Sequence, residues 1–160
     1  MTLANGKIID YNEGEEIYDL LPLKNNIRVS REIIFKIGKN FDRLGEYYKA
    51  TGGVHISALY SISGELLFYF EDISRRNAFD KIIGKTVLEN ISISNKILMT
   101  SGRMSSDIIY KLARSGVLLI ASKSAPTDSA IDIAKKLNIT MIGFLRGSRF
   151  NLYTNSHLLC

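Results

Sequence analysis

The amino-acid sequence predicts a three-layer α/β domain around a mixed, largely parallel sheet that includes one antiparallel hairpin. Short apolar runs rich in β-branched residues alternate with longer segments whose apolar residues recur at helical spacing. Two of the runs are separated only by a Ser-Ile-Ser-Gly turn, which indicates the hairpin. The 160 residues have the length of one domain, which can bury about two thirds of its unfolded surface in a single core.

Each element has its own signal in the sequence. Ser30 is suited to cap the first helix, whose apolar positions are Ile33, Ile34, Ile37, Phe41, Leu44 and Tyr48. The hairpin strands are expected at residues 54–60 and 65–70. Helices are then expected at 77–90, 105–115 and 129–137, and strands at 96–100, 117–122 and 140–145. Gly116 is placed to end the helix at 105–115.

Residues 1–27 differ from the rest of the chain. They show no sustained hydrophobic period and carry an acidic cluster of Glu13, Glu15 and Glu16. We interpret 1–27 as a leader or the remnant of a missing N-terminal domain, and 28–160 as the folded, ligand-binding domain.

The net charge of +5 suits a nucleic acid, an anionic membrane or a phosphorylated small molecule. No run of five like charges, basic amphipathic helix or RNP-like motif is present, which disfavours nucleic acid. No apolar run is long enough to span a membrane. The one cysteine, Cys160, excludes an internal disulfide, and without a visible secretion signal we expect a cytoplasmic protein. A phosphorylated ligand in a cleft fits the charge best.

The stretch from Ser101 to Ser106 has the features of an anion site. It lies between a predicted strand and a helix that Ser105 or Ser106 can cap, so backbone N–H groups and the positive end of the helix dipole face the loop. Gly102 lets the chain approach a ligand closely, and Arg103 adds a positive charge. An ordinary strand-to-helix turn with a solvated arginine is the alternative.

Other basic residues also follow predicted strands. They are Arg75, Arg76, Lys123, Arg146 and Arg149. The carboxyl ends of strands are where open α/β sheets bind ligands, so one crevice could collect these cations with Arg103. Three aromatic residues, Phe144, Phe150 and Tyr153, bracket two of the arginines, which suits a planar heterocycle attached to phosphate.

The residues expected for several enzyme chemistries are missing. A zinc nucleobase deaminase needs His-x-Glu and Pro-Cys-x-x-Cys, whereas this chain has His55-Ile56-Ser57 and, after Pro126, no cysteine. We therefore expect no zinc site. His55 is either a hydrogen-bonded structural residue or a ligand contact. Adjacent strand residues point to opposite faces, so only one of Glu71 and Asp72 can enter the crevice, and we expect the two to orient Arg75, Arg76 or Lys81.

Several motifs, in this order along the chain, together resemble one family. They are Thr51-Gly52-Gly53-Val54-His55; Glu71-Asp72 with Arg75, Asn77-Ala78, Asp80-Lys81 and Gly84; Ser101-Gly102-Arg103-Met104-Ser105-Ser106; Ser124-Ala125-Pro126-Thr127; and Gly143-Phe144-Leu145-Arg146-Gly147-Ser148-Arg149-Phe150-Asn151 with Tyr153-Thr154. The chain resembles the formate dehydrogenase accessory sulfurtransferase family (FdhD/NarQ) from about residue 20 to about residue 155, which corresponds to the family's larger C-terminal domain.

The resemblance implies a cytidine-deaminase-like fold without zinc, a homodimer, and binding of the molybdenum bis-guanine-dinucleotide cofactor, with GDP as a mimic. It also implies sulfur transfer from a cysteine desulfurase to this cofactor before its insertion into formate dehydrogenase. The cofactor-binding residues expected here are Phe144, Leu145, Arg146, Gly147, Ser148, Arg149, Ser101, Gly102, Arg103, Ser105, Ser106, His55, Asp72, Arg75, Asn77 and Lys123.

Departures from the family leave the sulfur chemistry open. The family's persulfide-carrying cysteines lie upstream of Leu21-Pro22 and have no counterpart in this chain; Ser74 replaces a usual glycine and Arg76 a usual histidine. The chain is then a fragment, a split-gene product or a short relative, and the alternative function is a non-enzymatic guanine-nucleotide or cofactor binding module. Apolar residues such as Ile91, Ile93 and Tyr110 are expected to be covered in a dimer.

Overall fold

The computed structural model describes residues 20–159, together with the backbone of two short strands near the N-terminus. The two short strands, β1 (Leu3–Ala4) and β2 (Lys7–Ile8), pair antiparallel. The further elements are α1 (Arg31–Phe41), α2 (Glu46–Thr51), β3 (His55–Ser61), β4 (Leu66–Asp72), α3 (Arg75–Leu88), β5 (Lys96–Thr100), α4 (Ser106–Ser115), β6 (Leu119–Ser122), α5 (Asp128–Lys136), β7 (Thr140–Arg146), β8 (Arg149–Leu152) and a 3-10 turn (Ser156–Leu158). None of the described helices is long and apolar enough to cross a membrane.

A six-stranded sheet in the order β4-β3-β5-β6-β7-β8 forms the middle layer. Helices α3, α4 and α5 pack on one face, through residues such as Phe79, Ile109 and Ala134. Helix α1 packs on the other face, through Ile34 and Phe41. The predicted three-layer α/β fold with a mixed sheet is therefore confirmed.

The expectation that the sheet is largely parallel is wrong. Only β5–β6 and β6–β7 pair in parallel, whereas β3–β4, β3–β5 and β7–β8 are antiparallel. The excess of antiparallel over parallel pairs arises because β3 lies between β4 and β5, and because the chain reverses after β7 to add the unexpected strand β8. A two-residue turn can join only antiparallel strands, and Gly147, with φ 56°, provides that turn.

The predicted first helix is divided into two. Ser30 caps α1 as expected, since its side chain accepts a hydrogen bond from the backbone N–H of Ile33. The helix ends at Phe41, however, and Gly45 adopts a φ of 78°, which a helix cannot contain. A Cβ at Gly45 would lie 2.7 Å from a carboxylate oxygen of Glu71. Apolar periodicity continues through Leu44 although the backbone does not, so the helical period alone could not reveal the break.

The exposed apolar residues are not those from which we expect a dimer. Ile93 is buried in the core, and Ile91 and Tyr110 are partly buried. The exposed apolar side chains of this region are instead Val87, at 70%, and Leu88, at 84%. The dimer itself stays a prediction.

Residues 20–27, the described part of the segment interpreted as a leader, pack against the domain. The backbone N–H of Leu23 donates to the carbonyl of Leu137 at 3.0 Å. The buried Asn25 amide donates to the carbonyls of Leu118 and Asn138 at 2.9 and 3.0 Å. It also donates to the Thr140 hydroxyl at 3.1 Å. Residues 9–19, with the acidic cluster, and Cys160 lie outside the described residues.

We predict that Asn25→Ala lowers the free energy of unfolding by about 1–3 kcal/mol, because the buried carbonyl groups that Asn25 satisfies would lose their donor. Urea denaturation followed by circular dichroism measures the change. The neighbouring Asn26→Ala, at an exposed position, is the control and should change the stability by less than about 0.5 kcal/mol. Equal effects of the two substitutions would contradict the structural role of Asn25.

Candidate functional site at the strand ends

The directions of the strands bring most of the predicted site residues to one edge of the sheet. Strands β5, β6 and β7 are parallel, so their carboxyl ends lie together. Strand β3 runs the opposite way, which places its first residue, His55, at the same edge, and β4 ends there at Asp72. Neighbouring strands are about 4.8 Å apart, so the edge from β4 to β8 extends roughly 24 Å. The site is thus an elongated row of groups.

His55 and Ser101 form a defined pair at one end of the row. The Ser101 hydroxyl oxygen accepts the backbone N–H of Ile56 at 3.1 Å and lies 3.3 Å from Nδ1 of His55. Which of the two atoms donates in this contact depends on the tautomer of the ring. Burial, and then the positive charge of Arg75, lower the pKa of His55. The shift favours the neutral imidazole over the imidazolium.

Arg75 crosses directly over Gly102. A Cβ added at Gly102 would lie 2.9 Å from Cβ of Arg75. The glycine therefore makes room for the arginine, whereas the expectation was that it makes room for a ligand. The Gly102 N–H is used as well, since it donates to the Thr100 hydroxyl at 3.2 Å. The Nε of Arg75 is buried without a hydrogen-bond partner. Arg75 is also the first residue of α3 rather than a loop residue, because this helix begins two residues earlier than predicted.

The N-terminus of α4 already faces a carboxylate of the chain. Ser105 occupies the N-cap position, but its hydroxyl donates to Asp107 at 2.5 Å instead of accepting from the helix backbone. Asp107 in turn pairs with Arg76 at 2.5 Å. Burial would raise the pKa of Asp107, but hydrogen bonds from Ser105 and Arg76 outweigh burial and lower it. The anion site expected at Ser101–Ser106 is thus partly neutralised from within, and Arg103 is exposed beside it.

Two of the expected ligand contacts have partners in the protein. Lys123 is mostly buried, with 17% of its side chain exposed, and pairs with Asp42 at 2.5 Å. Asp72 pairs with Lys81 at 2.7 Å, and hydrogen bonds from Lys81 and then from the backbone of Ser74 lower its pKa. The expected orientation of Lys81 by Asp72 is therefore confirmed.

Glu71 points to the opposite face, as the alternation along a strand requires. Its carboxylate accepts backbone N–H groups of Glu46, Tyr47 and Tyr48, the last at 2.6 Å. The Glu71 carboxylate thus caps α2 instead of orienting the basic side chains, which corrects our expectation for this carboxylate. The main-chain carbonyl of Glu71 accepts a hydrogen bond from Nζ of Lys81 at 2.9 Å.

The β7–β8 hairpin carries two arginines without acidic partners. Arg146 and Arg149 are paired residues across the Gly147-Ser148 turn, and both side chains are exposed. Neither forms an ion pair within the described chain. Together with Phe144 and Asn151 they line a cavity of about 240 Å³. Leu145 contributes no side chain to this cavity, because it is fully buried against Gly38 in the core.

Phe144 is held in an unusual backbone conformation beside these arginines. Its φ is 52°, a left-handed value that is rare for an aromatic residue, and the pairing of β7 with β8 is irregular at this point. The Phe144 N–H donates to the carbonyl of Ser124 at 3.2 Å, and the ring is 40% exposed. A period-two pattern cannot reveal such a bulge. The sequence therefore predicts Phe144 as a site residue but does not predict the direction of its ring.

The comparison with protein families decides what kind of chain this is. The model of the FdhD/NarQ family matches residues 2–160. The chain belongs to the FdhD/NarQ family. The resemblance proposed from the motifs is confirmed.

Named relatives of this FdhD/NarQ chain are sulfur carriers. The sulfur carrier protein FdhD of Sulfurisphaera tokodaii is 46% identical over 140 residues, which cover 87% of this chain and 55% of the relative. The sulfur carrier protein FdhD of Saccharolobus solfataricus is 42% identical over 141 residues, 88% of this chain and 55% of the relative. The chain thus spans about half the length of these curated relatives.

A solved structure has the same fold. A candidate formate dehydrogenase accessory protein from Desulfotalea psychrophila matches 90% of this chain and 61% of its own length, with a TM-score of 0.81 and 26% sequence identity. Among the described residues of this FdhD/NarQ chain, no three His, Cys, Asp or Glu side chains come together as metal ligands.

Sequence reasoning missed the acidic partners Asp42 and Asp107. Asp107 lies in the first turn of α4, where an acidic residue is favoured by the helix dipole, so a signal for its role was present. Asp42 is 81 positions from Lys123 in the chain, and no local pattern joins the two. The sequence therefore does not indicate which basic side chains have an acidic partner, and the fold does.

We predict that Arg75→Gln raises the pKa of His55 towards its ordinary value, because the neighbouring positive charge that disfavours the imidazolium is removed. The pKa should stay below the ordinary value, since burial persists. Titration of the imidazole C–H resonances by NMR measures it, with His157 as the internal reference. The control is Arg76→Gln, which removes a charge already paired with Asp107. A shift of equal size in both variants would contradict the assignment.

Proposed function

We propose that this chain binds the guanine-nucleotide part of the molybdenum bis-guanine-dinucleotide cofactor, so that the cofactor can be sulfurated for formate dehydrogenase. Cysteine desulfurase and formate dehydrogenase are the proposed partners, in the cytoplasm. Relatives named as sulfur carriers, and a structural neighbour described as a formate dehydrogenase accessory protein, support this assignment. The observation that carries it is the pair Arg146 and Arg149, which lacks acidic partners in the described structure and lies beside the exposed Phe144.

The residues of the hairpin fit the chemistry of a nucleotide. A guanidinium group can donate two parallel hydrogen bonds to phosphate oxygens, and an exposed aromatic ring can cover a planar base or pterin. The cavity of about 240 Å³ is smaller than the ~300–1,000 Å³ of ordinary ligand sites, so a whole nucleotide must extend beyond it along the strand edge. Along that edge the end of β6 comes next, followed by the end of β5, after which Arg103 lies.

The far end of the row supplies a second polar region. Arg75 brings a charge without an acidic partner in the described chain, and His55 brings an imidazole ring that contacts Ser101. A bis-guanine dinucleotide has two anionic arms, which suits two cationic regions separated along one edge. When bound, the cofactor supplies the molybdenum that receives sulfur; the residues of this chain bind and orient it and carry none of the transferred sulfur.

Persulfide transfer requires a thiolate, and the one cysteine of the chain is Cys160. We predict that incubation with a cysteine desulfurase and ³⁵S-labelled cysteine leaves no reductant-releasable label on this chain. Cys160→Ser is the matched control for background. Label present on the parent chain and absent from Cys160→Ser would show instead that Cys160 carries sulfur.

We predict that Arg146→Ala and Arg149→Ala each weaken GDP binding by roughly ten- to hundredfold, the equivalent of about 1.5–3 kcal/mol for hydrogen bonds to a charged group. Both side chains are exposed, so the fold should survive their removal. Isothermal titration calorimetry measures the affinity, and thermal unfolding checks the fold.

The control is Arg114→Ala, an exposed arginine in the last turn of α4, at the opposite edge of the sheet. It should leave the GDP affinity within about twofold of the parent value, since a surface cation far from the ligand contributes little. Unchanged binding in both hairpin variants would rule out the hairpin as the phosphate site.

A further inference from the structure

A second concave surface lies along the outer side of α1, away from the strand ends. It consists of two adjoining depressions of about 620 and 450 Å³, which share Phe35. We call this surface the α1 groove and define it by Arg31, Phe35, Lys36, Lys39, Arg43 and Phe150. Both depressions are larger than the hairpin cavity, and only the second adjoins the proposed nucleotide site, through Ser148 and Arg149.

The walls of the α1 groove are predominantly basic, and its cations form no ion pairs with the described residues. Arg31, Lys36, Lys39 and Arg43 are all exposed, and none of them has an ion-pair partner in the described residues. Glu32 is the one acidic residue that lines the groove. The nearby Asp42 is not available as a counterion for the groove, because it forms an ion pair with Lys123. The groove therefore presents a positive charge that only a ligand or solvent ions can balance.

The floor of the groove is apolar and its aromatic rings are already packed together. The ring centroids of Phe35 and Phe150 are 5.3 Å apart, with the planes inclined at 47°. Leu152 and Leu159 extend this floor. Nucleic-acid bases need a free aromatic face for stacking, and tilted, half-buried rings do not offer one. An aliphatic or aromatic side chain, which needs only an apolar recess, fits here.

The spacing of the charges suits an extended polypeptide. Arg31 and Lys39 are eight residues apart in α1, which corresponds to roughly 12 Å along the helix axis. An extended peptide covers that distance with about four residues. Carboxylates before and after one apolar side chain would thus lie opposite the cations while that side chain enters beside Phe35.

We propose that the α1 groove docks an acidic segment of a partner protein, with carboxylates on either side of one large apolar side chain. Arg149 lines both the groove and the hairpin cavity, so a docked partner would lie next to the edge where the ligand is bound. The proposal does not depend on the identity of that ligand.

The test measures binding of a fluorescent peptide, Asp-Glu-Asp-Leu-Glu-Asp-Glu, by anisotropy. The triple variant K36E/K39E/R43E should bind it at least about tenfold more weakly than the parent, because three attractions become repulsions. The matched control R114E/K135E/K136E has the same net charge, with the substitutions on α4 and α5, and should change the affinity by less than about twofold.

The apolar part of the proposal has its own measurement. The parent chain should prefer the peptide above to one with Ser in place of Leu, and Phe35→Ala should abolish that preference. Where Phe35→Ala lowers the melting temperature into the assay range, Phe35→Leu takes its place and should reduce the preference without abolishing it, since it removes the ring and keeps apolar packing. A preference unchanged by both variants would overturn the apolar recess.

Other outcomes overturn the proposal as well. Equal weakening of peptide binding in both triple variants would show that the peptide responds to the net charge of the protein and not to the groove. Tighter binding of a single-stranded oligonucleotide of equal charge would assign the groove to nucleic acid. If the parent does not bind the peptide and E13Q/E15Q/E16Q does, the groove is assigned to the acidic segment of the chain itself. GDP titrated into K36E/K39E/R43E should bind as in the parent, so failure of the nucleotide site and failure of the groove are separate results.

Discussion

The hydrogen bonds that hold β5, β6 and β7 parallel determine where the candidate site lies. These strands all end at one edge, and β3, β4 and β8 bring their own termini to the same edge because each runs antiparallel to its neighbour. Reversing β3 alone would move His55 roughly 20 Å, the length of a strand of seven residues at about 3.3 Å per residue. Strand direction, more than any single side-chain contact, therefore places residues as distant in the chain as His55 and Arg146 along the same edge of the sheet.

Within that edge, ion pairing divides the cations into two groups. Lys123 is largely removed from water, and a buried charge without a partner would be strongly unfavourable, so Asp42 neutralises it. Arg76 is paired by Asp107 in the first turn of α4. Arg146 and Arg149 are exposed, and solvent alone keeps their charges favourable. The first group holds loops and helix ends together, whereas the second can exchange water for an anion without breaking a contact within the protein.

Local signals in the sequence predicted most elements, because their causes are local. Ser30 and Gly116 act through hydrogen bonds and dihedral angles of their own neighbourhood, and both have the predicted roles. The errors involve distant partners. Gly45 breaks the first helix where Glu71, from another strand, caps the next one. The pairing of β3 with β5 and the addition of β8 depend on packing that periodicity does not encode. For the same reason the candidate site could be located at the strand ends, but its free and paired cations could not be separated.

The backbone at Phe144 is held in a strained conformation by contacts within the protein. A left-handed aromatic residue costs on the order of 1–3 kcal/mol, and the cost persists only where the surroundings impose it. Here the Ser124 carbonyl holds the Phe144 N–H, and a side chain on Gly143 would meet the Tyr153 ring at 2.9 Å. These contacts turn the Phe144 ring outwards beside two arginines rather than into the core. The local loss of stability thus accompanies an exposed ring at a fixed position, which is what the proposed binding of a planar base would require.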